Sequence, residues 1–512
     1  MVNKYGSAMS ISLIGINGKP VKVETDISMG LPRFTIIGLP DLSLKEAKYR
    51  VNSAFNYCNL GVHAGNITVN LSPACLYKTG SGFDLAIAIS ILCADKKIDF
   101  DKVKNWMFIS ELGLDGKLYP VNGILPMVNA AVKNGYKNIV VAKQCEYEAK
   151  LVDGSNIFPA DNLVEVLNYF GGSFKVPQYD LEKNSYDGIE KYNLFSPIDM
   201  SEIKGNTLAK YGLEVAACGG HNVFMLGTAG SGKTMLAKSM CSILPELSKS
   251  DSLDVSSIYS VAGKNIGGRL IKTPPFYAPH HSATLPSLIG GGTNIKPGAI
   301  SLAHKGILFI DEAGEFPARA LDSLRQPLED KYITISRVNS IAVYPADFQL
   351  LLASNPCPCG NFASKTHECK CSAYQVNKYM SKISGPLLDR VDIQLRVQTQ
   401  KRQTFDMESE EKSETILSRV IEARKRILLK YKDINVSISK DLLPKHLRSS
   451  VSKIDGDGYL LVESQISKGK LSMRGADKVL RLGVSIAALD GCDVVSQDHI
   501  AQALILRTNI NE

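Results

Sequence analysis

Residues 227–234 read GTAGSGKT, a G-x-x-x-x-G-K-[ST] sequence set between the apolar run NVFML and the helix-like stretch TMLAKSMCSIL. Gly227, Gly230 and Gly232 let backbone N–H groups close around phosphate oxygens, and Thr228, Ala229 and Ser231 complete the loop. Lys233 reaches the β- and γ-phosphates and the Thr234 hydroxyl ligates Mg²⁺, so the expected chemistry is binding of ATP with Mg²⁺.

A second apolar run, GILFIDEA, ends in Asp311 and Glu312. Asp311 would complete the Mg²⁺ shell, and Glu312 would act as general base on the attacking water. A third run, LLLASN, ends in Asn355, whose amide suits the orientation of that water. Two arginines join the set. Arg390 in GPLLDRVDI is a candidate finger on the ATP of a neighbouring subunit, and Arg474 in LSMRGADKVLR is a candidate γ-phosphate contact from a helical lid. A guanidinium neutralises charge spread over a transferring phosphoryl group; the competing role for each is an ion pair within the chain.

Directly after Asn355, NPCPCGNFASKTHECKC places Cys357, Cys359, Cys369 and Cys371 in two Cys-x-Cys pairs. Four thiols can close a tetrahedral Zn²⁺ site and fold a short polar loop, with His367 able to replace one of them. Unligated thiols and a redox switch are the competing readings.

These side chains need a scaffold that brings strand ends together. The chain has 512 residues, 44% of them hydrophobic, enough for several cores. A net charge of +8 permits a polyanionic partner without requiring one. Eleven cysteines, an odd number with no leader pattern at the start, argue for reduced thiols and a cytoplasmic setting. The longest strongly apolar run, FDLAIAISILCA, contains Asp84 and is too short to cross a bilayer, so no membrane association is expected.

The expected fold class is α/β. Residues 1–170 alternate strand-like SISLIGI, KVETDI, FTIIGL and NITVNL with helix-like SLKEAKYRVNSAFNYC and GFDLAIAISILCADKK. Residues 171–197 lose all periodicity and read as a linker. Residues 198–399 alternate strands and helices as in a parallel sheet, with a cysteine-rich loop at 356–372, and residues 400–512 read as a helical domain.

Taken in order, the phosphate loop, acidic pair, Asn355, GPLLDRVDI and MRGADKVLRLGVSIAALDG, together with EVAACGGHNVFMLG, APHHSAT, LDSLRQPLED and NPCPCG, resemble the magnesium-chelatase-like AAA+ ATPases of the ComM/YifB type over essentially the whole chain. The resemblance implies an N-terminal Lon-protease-like domain (ribosomal S5 domain 2-like), an AAA+ core and a helical lid. It also implies a homo-oligomeric ring, usually hexameric, acting as a helicase in branch migration of DNA during recombination or natural transformation. Ala299 stands where that family commonly has Glu.

YKTGSGFDLAIAISIL resembles the Lon segment that carries the nucleophilic serine, and GLDGKLYPVNGILPMVNAAVKNGYKNIVVA the one that carries its lysine. The second has no lysine near Leu125 to Met127, and the serine position falls at Gly82 or beside it at Ser81. A Ser-Lys dyad needs both groups, so an ATP-dependent protease is the least favoured reading. A chelatase-type ATPase remodelling a protein partner is the alternative to a DNA motor. DNA phosphates would be met by Arg319 and Arg325 after the acidic pair, Arg337 in the hairpin YITISRVNSIAVYP, and Lys264, Arg269 and Lys272 before APHHSAT. His280 and His281 are candidates for phosphate, metal or packing contacts.

Overall fold

The computed structural model describes residues 4–62, 65–179, 197–292, 295–337, 340–362, 368–398, 410–449 and 452–507. Most of the expected linker, residues 180–196, and His367 lie outside the described residues.

Residues 4–160 form a seven-stranded mixed sheet in the order Arg33–Ile37, Asn66–Ser72, Asn17–Ser28, Lys4–Ile14, Trp106–Ile109, Asn138–Ala142, Asn156–Ala160. Asn17–Ser28 shows why: Val21, Val23, Thr25 and Ile27 are buried while Lys22 and Asp26 between them are exposed, the period of two that a one-sided strand requires. The helix Asp84–Ala94 is buried along its whole length. Each of its large apolar side chains contributes about 2 kcal/mol on burial, which offsets the cost of burying Asp84. That carboxylate is gripped by Arg50 through two bonds of 2.6 and 3.0 Å. Burial still pushes the Asp84 pKa up to about 6 against the pull of Arg50.

The opposite face of the sheet is covered from elsewhere in the chain. Ile11, Met107, Ile124 and Leu125 share one apolar cluster with Val255, Ile258 and Tyr259 of the helix Lys249–Val261. The Gly123 N–H donates to Ser260 O at 3.1 Å across the same seam.

The second sheet has five parallel strands in the order Phe276–Tyr277, Ile307–Ile310, Gln349–Ser354, Val223–Gly227, Ile393–Val397. The runs NVFML, GILFI and FQLLLAS supply its three central strands, buried on both sides as a helix-covered parallel sheet demands. The helices Ser413–Lys430, Gly456–Ser467, Met473–Leu489 and Gln497–Ile505 follow, and their apolar residues join those of the helix Thr207–Gly219 and the sheet in one continuous core. A polar knot crosses this seam. Buried His221 contacts Ser485 Oγ at 2.8 Å and Ser439 Oγ at 3.1 Å, and Asp392 pairs with Lys478 at 3.3 Å.

The stretch after the acidic pair that carries Arg319 and Arg325 forms two short helices, Ala318–Asp322 and Arg325–Asp330. The helix after the phosphate loop is α-helical only over Lys233–Ser239 and tightens into a 3₁₀ turn at Met240–Ile243. YITISRVNSIAVYP forms the expected hairpin, Tyr332–Arg337 paired with Ser340–Pro345. No helix among the described residues is long and apolar enough to cross a membrane.

Candidate functional site

Parallel strands bring their C-terminal ends to one edge, and the register decides which residues meet there. Leu226 pairs with Ser354 and Ile310 with Leu352, so Gly227, Asn355 and Asp311 emerge side by side. Gly227 admits no side chain, since a Cβ there would lie 2.4 Å from Val397 O. Gly230 and Gly232 have φ of +74° and +91°, the left-handed region that favours glycine, and a Cβ on either would meet nothing within 4 Å.

Lys233 is buried, and its Nζ donates to Gly227 O at 2.7 Å, Thr228 O at 2.9 Å, Ser231 Oγ at 3.3 Å and Asn355 Oδ1 at 3.1 Å. Burial lowers its pKa, opposed by Asp311 and Glu312. The Thr234 hydroxyl donates to Asp311 Oδ2 at 2.7 Å, joining the two groups expected to hold Mg²⁺. A lysine, a hydroxyl and a carboxylate beside a glycine-rich loop are the groups that a magnesium–triphosphate requires.

Glu312 adopts a left-handed conformation, φ +51°, that turns its side chain away from the strand line. Its N–H donates to Asp311 Oδ1 at 2.9 Å, and its Oε2 lies 3.6 Å from His281 Nδ1. His281 stacks on His280 at 4.0 Å, and His280 Nδ1 contacts Ser282 Oγ at 2.7 Å. The sequence left this histidine pair unassigned; its one signal was adjacency just past the edge strand Phe276–Tyr277.

The arginines are placed differently. Arg390 makes an ion pair of 2.7 Å with Glu329 and donates to Pro386 O at 2.8 Å, all within its own chain. Arg474 is exposed in the first turn of Met473–Leu489, behind the cap Ser472. Among the cations expected to meet DNA, Arg319, Arg269 and Lys272 are exposed. Arg325 is half-buried and bound to Asp322 at 2.6 Å and Ser384 at 2.7 Å. Lys264 sits over the rings of Tyr259 and Tyr277 at 5.9 and 5.4 Å. The side chain of Arg337 lies outside the described residues. Ala299 is buried in an apolar cluster with Leu288 and Ile300.

Cys357, Cys359, Cys369 and Cys371 converge, with every sulfur within 4.8 Å of the others and none in a disulfide. Their loop runs onto the phosphate loop, where the Ala229 N–H donates to Gly360 O at 3.3 Å. In the N-terminal sheet, the Ser81 hydroxyl donates to the Glu111 carboxylate. Lys78, fully buried, donates to Gly38 O at 2.9 Å, Leu71 O at 2.8 Å and the carbonyl of Pro73. The segment with no lysine near Leu125 to Met127 forms the helix Ile124–Lys133, with Leu125 and Pro126 buried.

Comparison with known proteins gives matches along most of the chain. Residues 199–405 match the family model described as magnesium chelatase, subunit ChlI; residues 23–145 match subunit ChlI of Mg-chelatase; residues 410–507 match the subunit ChlI C-terminal region. The chain is 37% identical over 500 residues to the Competence protein ComM of Haemophilus influenzae, covering 97% of this chain and 96% of that protein. It is 34% identical over 508 residues to the uncharacterised protein YifB of Escherichia coli, covering 98% and 97%. A magnesium-chelatase 67 kDa subunit of Chlorobaculum parvum is 29% identical over 163 residues, 31% of this chain and 23% of that protein.

Proposed function

The chain belongs to the ComM/YifB-type family of magnesium-chelatase-like AAA+ ATPases, and from that premise we propose that it is a ring motor that hydrolyses ATP to move branched DNA. The observation that carries the ATPase half is the convergence of Lys233, Thr234, Asp311, Glu312 and Asn355 at one edge of a parallel sheet. The DNA half is supported by near full-length similarity to a protein named for competence, whereas the chelatase subunit matches under a third of the chain.

In this reading Lys233 exchanges the Gly227 and Thr228 carbonyls for β- and γ-phosphate oxygens. Thr234 and Asp311 would hold Mg²⁺, and the bound ion would supply positive charge to the triphosphate. Glu312 takes the proton of the attacking water, Asn355 orients that water, and Arg390 and Arg474 stabilise the transferring phosphoryl group, Arg390 from a neighbouring subunit of a hexamer. Exposed Arg319, Arg269 and Lys272 are the leading phosphate contacts for DNA, with salt-sensitive, sequence-independent binding expected. The Lon-like domain, residues 1–170, acts as a scaffold: Ser81 is engaged by a carboxylate and Lys78 by three carbonyls, which leaves neither arranged as a dyad. The linker at 171–197, the core at 198–399, the lid at 400–512 and a cytoplasmic setting belong to the same reading.

The test is ATP hydrolysis with and without single-stranded and branched DNA, together with strand exchange on a labelled fork and Lys233→Ala as the inactive control. DNA should stimulate hydrolysis and branches should move. Hydrolysis without DNA binding would leave an ATPase and remove the DNA motor.

A further inference from the structure

The cysteine loop is built into the wall of the nucleotide site. Three sulfur separations are 3.3 Å (Cys357 to Cys359), 3.6 Å (Cys359 to Cys369) and 3.7 Å (Cys357 to Cys369). Zn–S bonds of about 2.3 Å in a tetrahedron set the sulfurs about 3.8 Å apart. The thiols therefore stand close to ligand positions for one ion, and closer together than an iron–sulfur cluster with several irons would hold them. A backbone donor supports one sulfur as such donors support thiolates in a metal's outer shell: Phe362 N–H reaches Cys357 Sγ at 3.3 Å. Four soft sulfurs with no carboxylate or water-bearing ligand favour Zn²⁺ in a closed, structural site.

The same loop touches both sides of the ATP site. On one side Gly360, next to Cys359, accepts the Ala229 N–H, and its left-handed φ of +78° lets it approach so closely that a Cβ would lie 3.0 Å from Ala229 Cβ. On the other, the helix Ala373–Met380, which starts two residues after Cys371, places the Tyr379 ring against Gly314, where a Cβ would be 2.2 Å from the ring. Gly314 follows Glu312 by two residues. A short polar loop has little apolar surface to hold such a position by burial alone, and a metal can supply the missing constraint.

We infer that Cys357, Cys359, Cys369 and Cys371 bind one Zn²⁺, and that this ion fastens the phosphate loop in its ATP-accepting form through the Gly360–Ala229 contact. The second half rests on the nucleotide reading of that loop; the first does not.

Two measurements on the full-length protein separate the halves: metal content by elemental analysis, and affinity for a fluorescent ATP analogue. The wild type should carry one zinc per chain and bind the analogue. Cys369→Ser with Cys371→Ser should lose the zinc and weaken analogue binding about tenfold or more. Gly360→Ala leaves every thiol in place, so it should keep the zinc and still weaken binding several-fold, which guards against misreading a misfolded cysteine variant. Wild-type protein free of metal, or carrying iron in place of zinc, overturns the site. Analogue affinity unchanged in both variants overturns the coupling. Wild type that carries zinc but binds no nucleotide overturns the ATPase reading and the coupling with it, while the metal site stands.

Discussion

Nδ1 of His281 lies 3.6 Å from Oε2 of Glu312, and His280 stacks on the same imidazole at 4.0 Å. A carboxylate that is half exposed and carried on a left-handed residue needs such a neighbour to aim it. Glu312→Gln should lower hydrolysis by about a hundredfold or more while nucleotide binding persists. His281→Ala should lower kcat several-fold with little change in affinity, a split that single-turnover hydrolysis and nucleotide titration would resolve. Equal losses in both parameters would mean that His281 shapes the pocket and does not aim the base.

Lys233 and Asn355 join the phosphate loop to the central strand at 3.1 Å. Lys233→Ala should abolish nucleotide binding, because among the described residues Lys233 is the cation that contacts the loop. Asn355→Ala should leave affinity within about threefold and reduce kcat by about tenfold or more. An equilibrium titration beside steady-state kinetics distinguishes the two.

Arg390 is paired with Glu329 at 2.7 Å, and Glu329 is 57% exposed. The Arg390 side chain is 20% exposed, and ion pairs open to solvent contribute about 0–1 kcal/mol, so in the proposed ring a neighbour's phosphate could draw the guanidinium away. In the proposed ring, Arg390→Ala should lower hydrolysis by about a hundredfold or more without weakening nucleotide binding, and Glu329→Gln should not lower it. Mixing Arg390→Ala with Glu312→Gln subunits should restore hydrolysis where one supplies the arginine and the other the base.

Two histidines make the fold sensitive to acid. Burial, opposed by Asp392, pushes the His221 pKa down to about 4, with Lys440, Arg481 and Lys478 lowering it further. Burial and Lys305 do the same to His304, also to about 4, opposed by Asp347 and Asp251, and its Nδ1 accepts the Asp347 N–H at 3.0 Å. An unfolded histidine titrates near 6.5, so between about pH 6.5 and 4 the unfolded chain takes up protons that the native one refuses. Stability should fall across that window, by roughly 3 kcal/mol for each histidine at full extent. Urea midpoints measured from pH 7.5 to 4.5 should show a shallower fall for His304→Gln than for the wild type.

The parts of the site that depend on short stretches of chain were legible. GTAGSGKT, DEAGEF and LLLASN each end a strand, and local apolar runs mark such strands well. Trp106–Ile109, Asn138–Ala142 and Asn156–Ala160 escaped notice, because four- or five-residue apolar runs in a buried sheet lack the alternation that signals a strand. Lys249–Val261 was hidden for a different reason. Its serines and aspartates mask the apolar side that meets the N-terminal sheet. The contacts of His281 with Glu312 and of Gly360 with Ala229 join distant parts of the chain, and no spacing rule announces them.

The apolar seam between the N-terminal sheet and Lys249–Val261 has a practical meaning for anyone dissecting this molecule. Ile258 and Tyr259, fully covered in the whole chain, share their cluster with Leu125 and Met107 and would lose that apolar cover if residues 1–170 were cut away. The ATPase core is therefore not a free-standing engine with an accessory bolted on; its outer wall is contributed by the first third of the polypeptide. A truncated core should prove sticky and poorly behaved, and a loss of activity on truncation would report a missing wall before it reported a missing function.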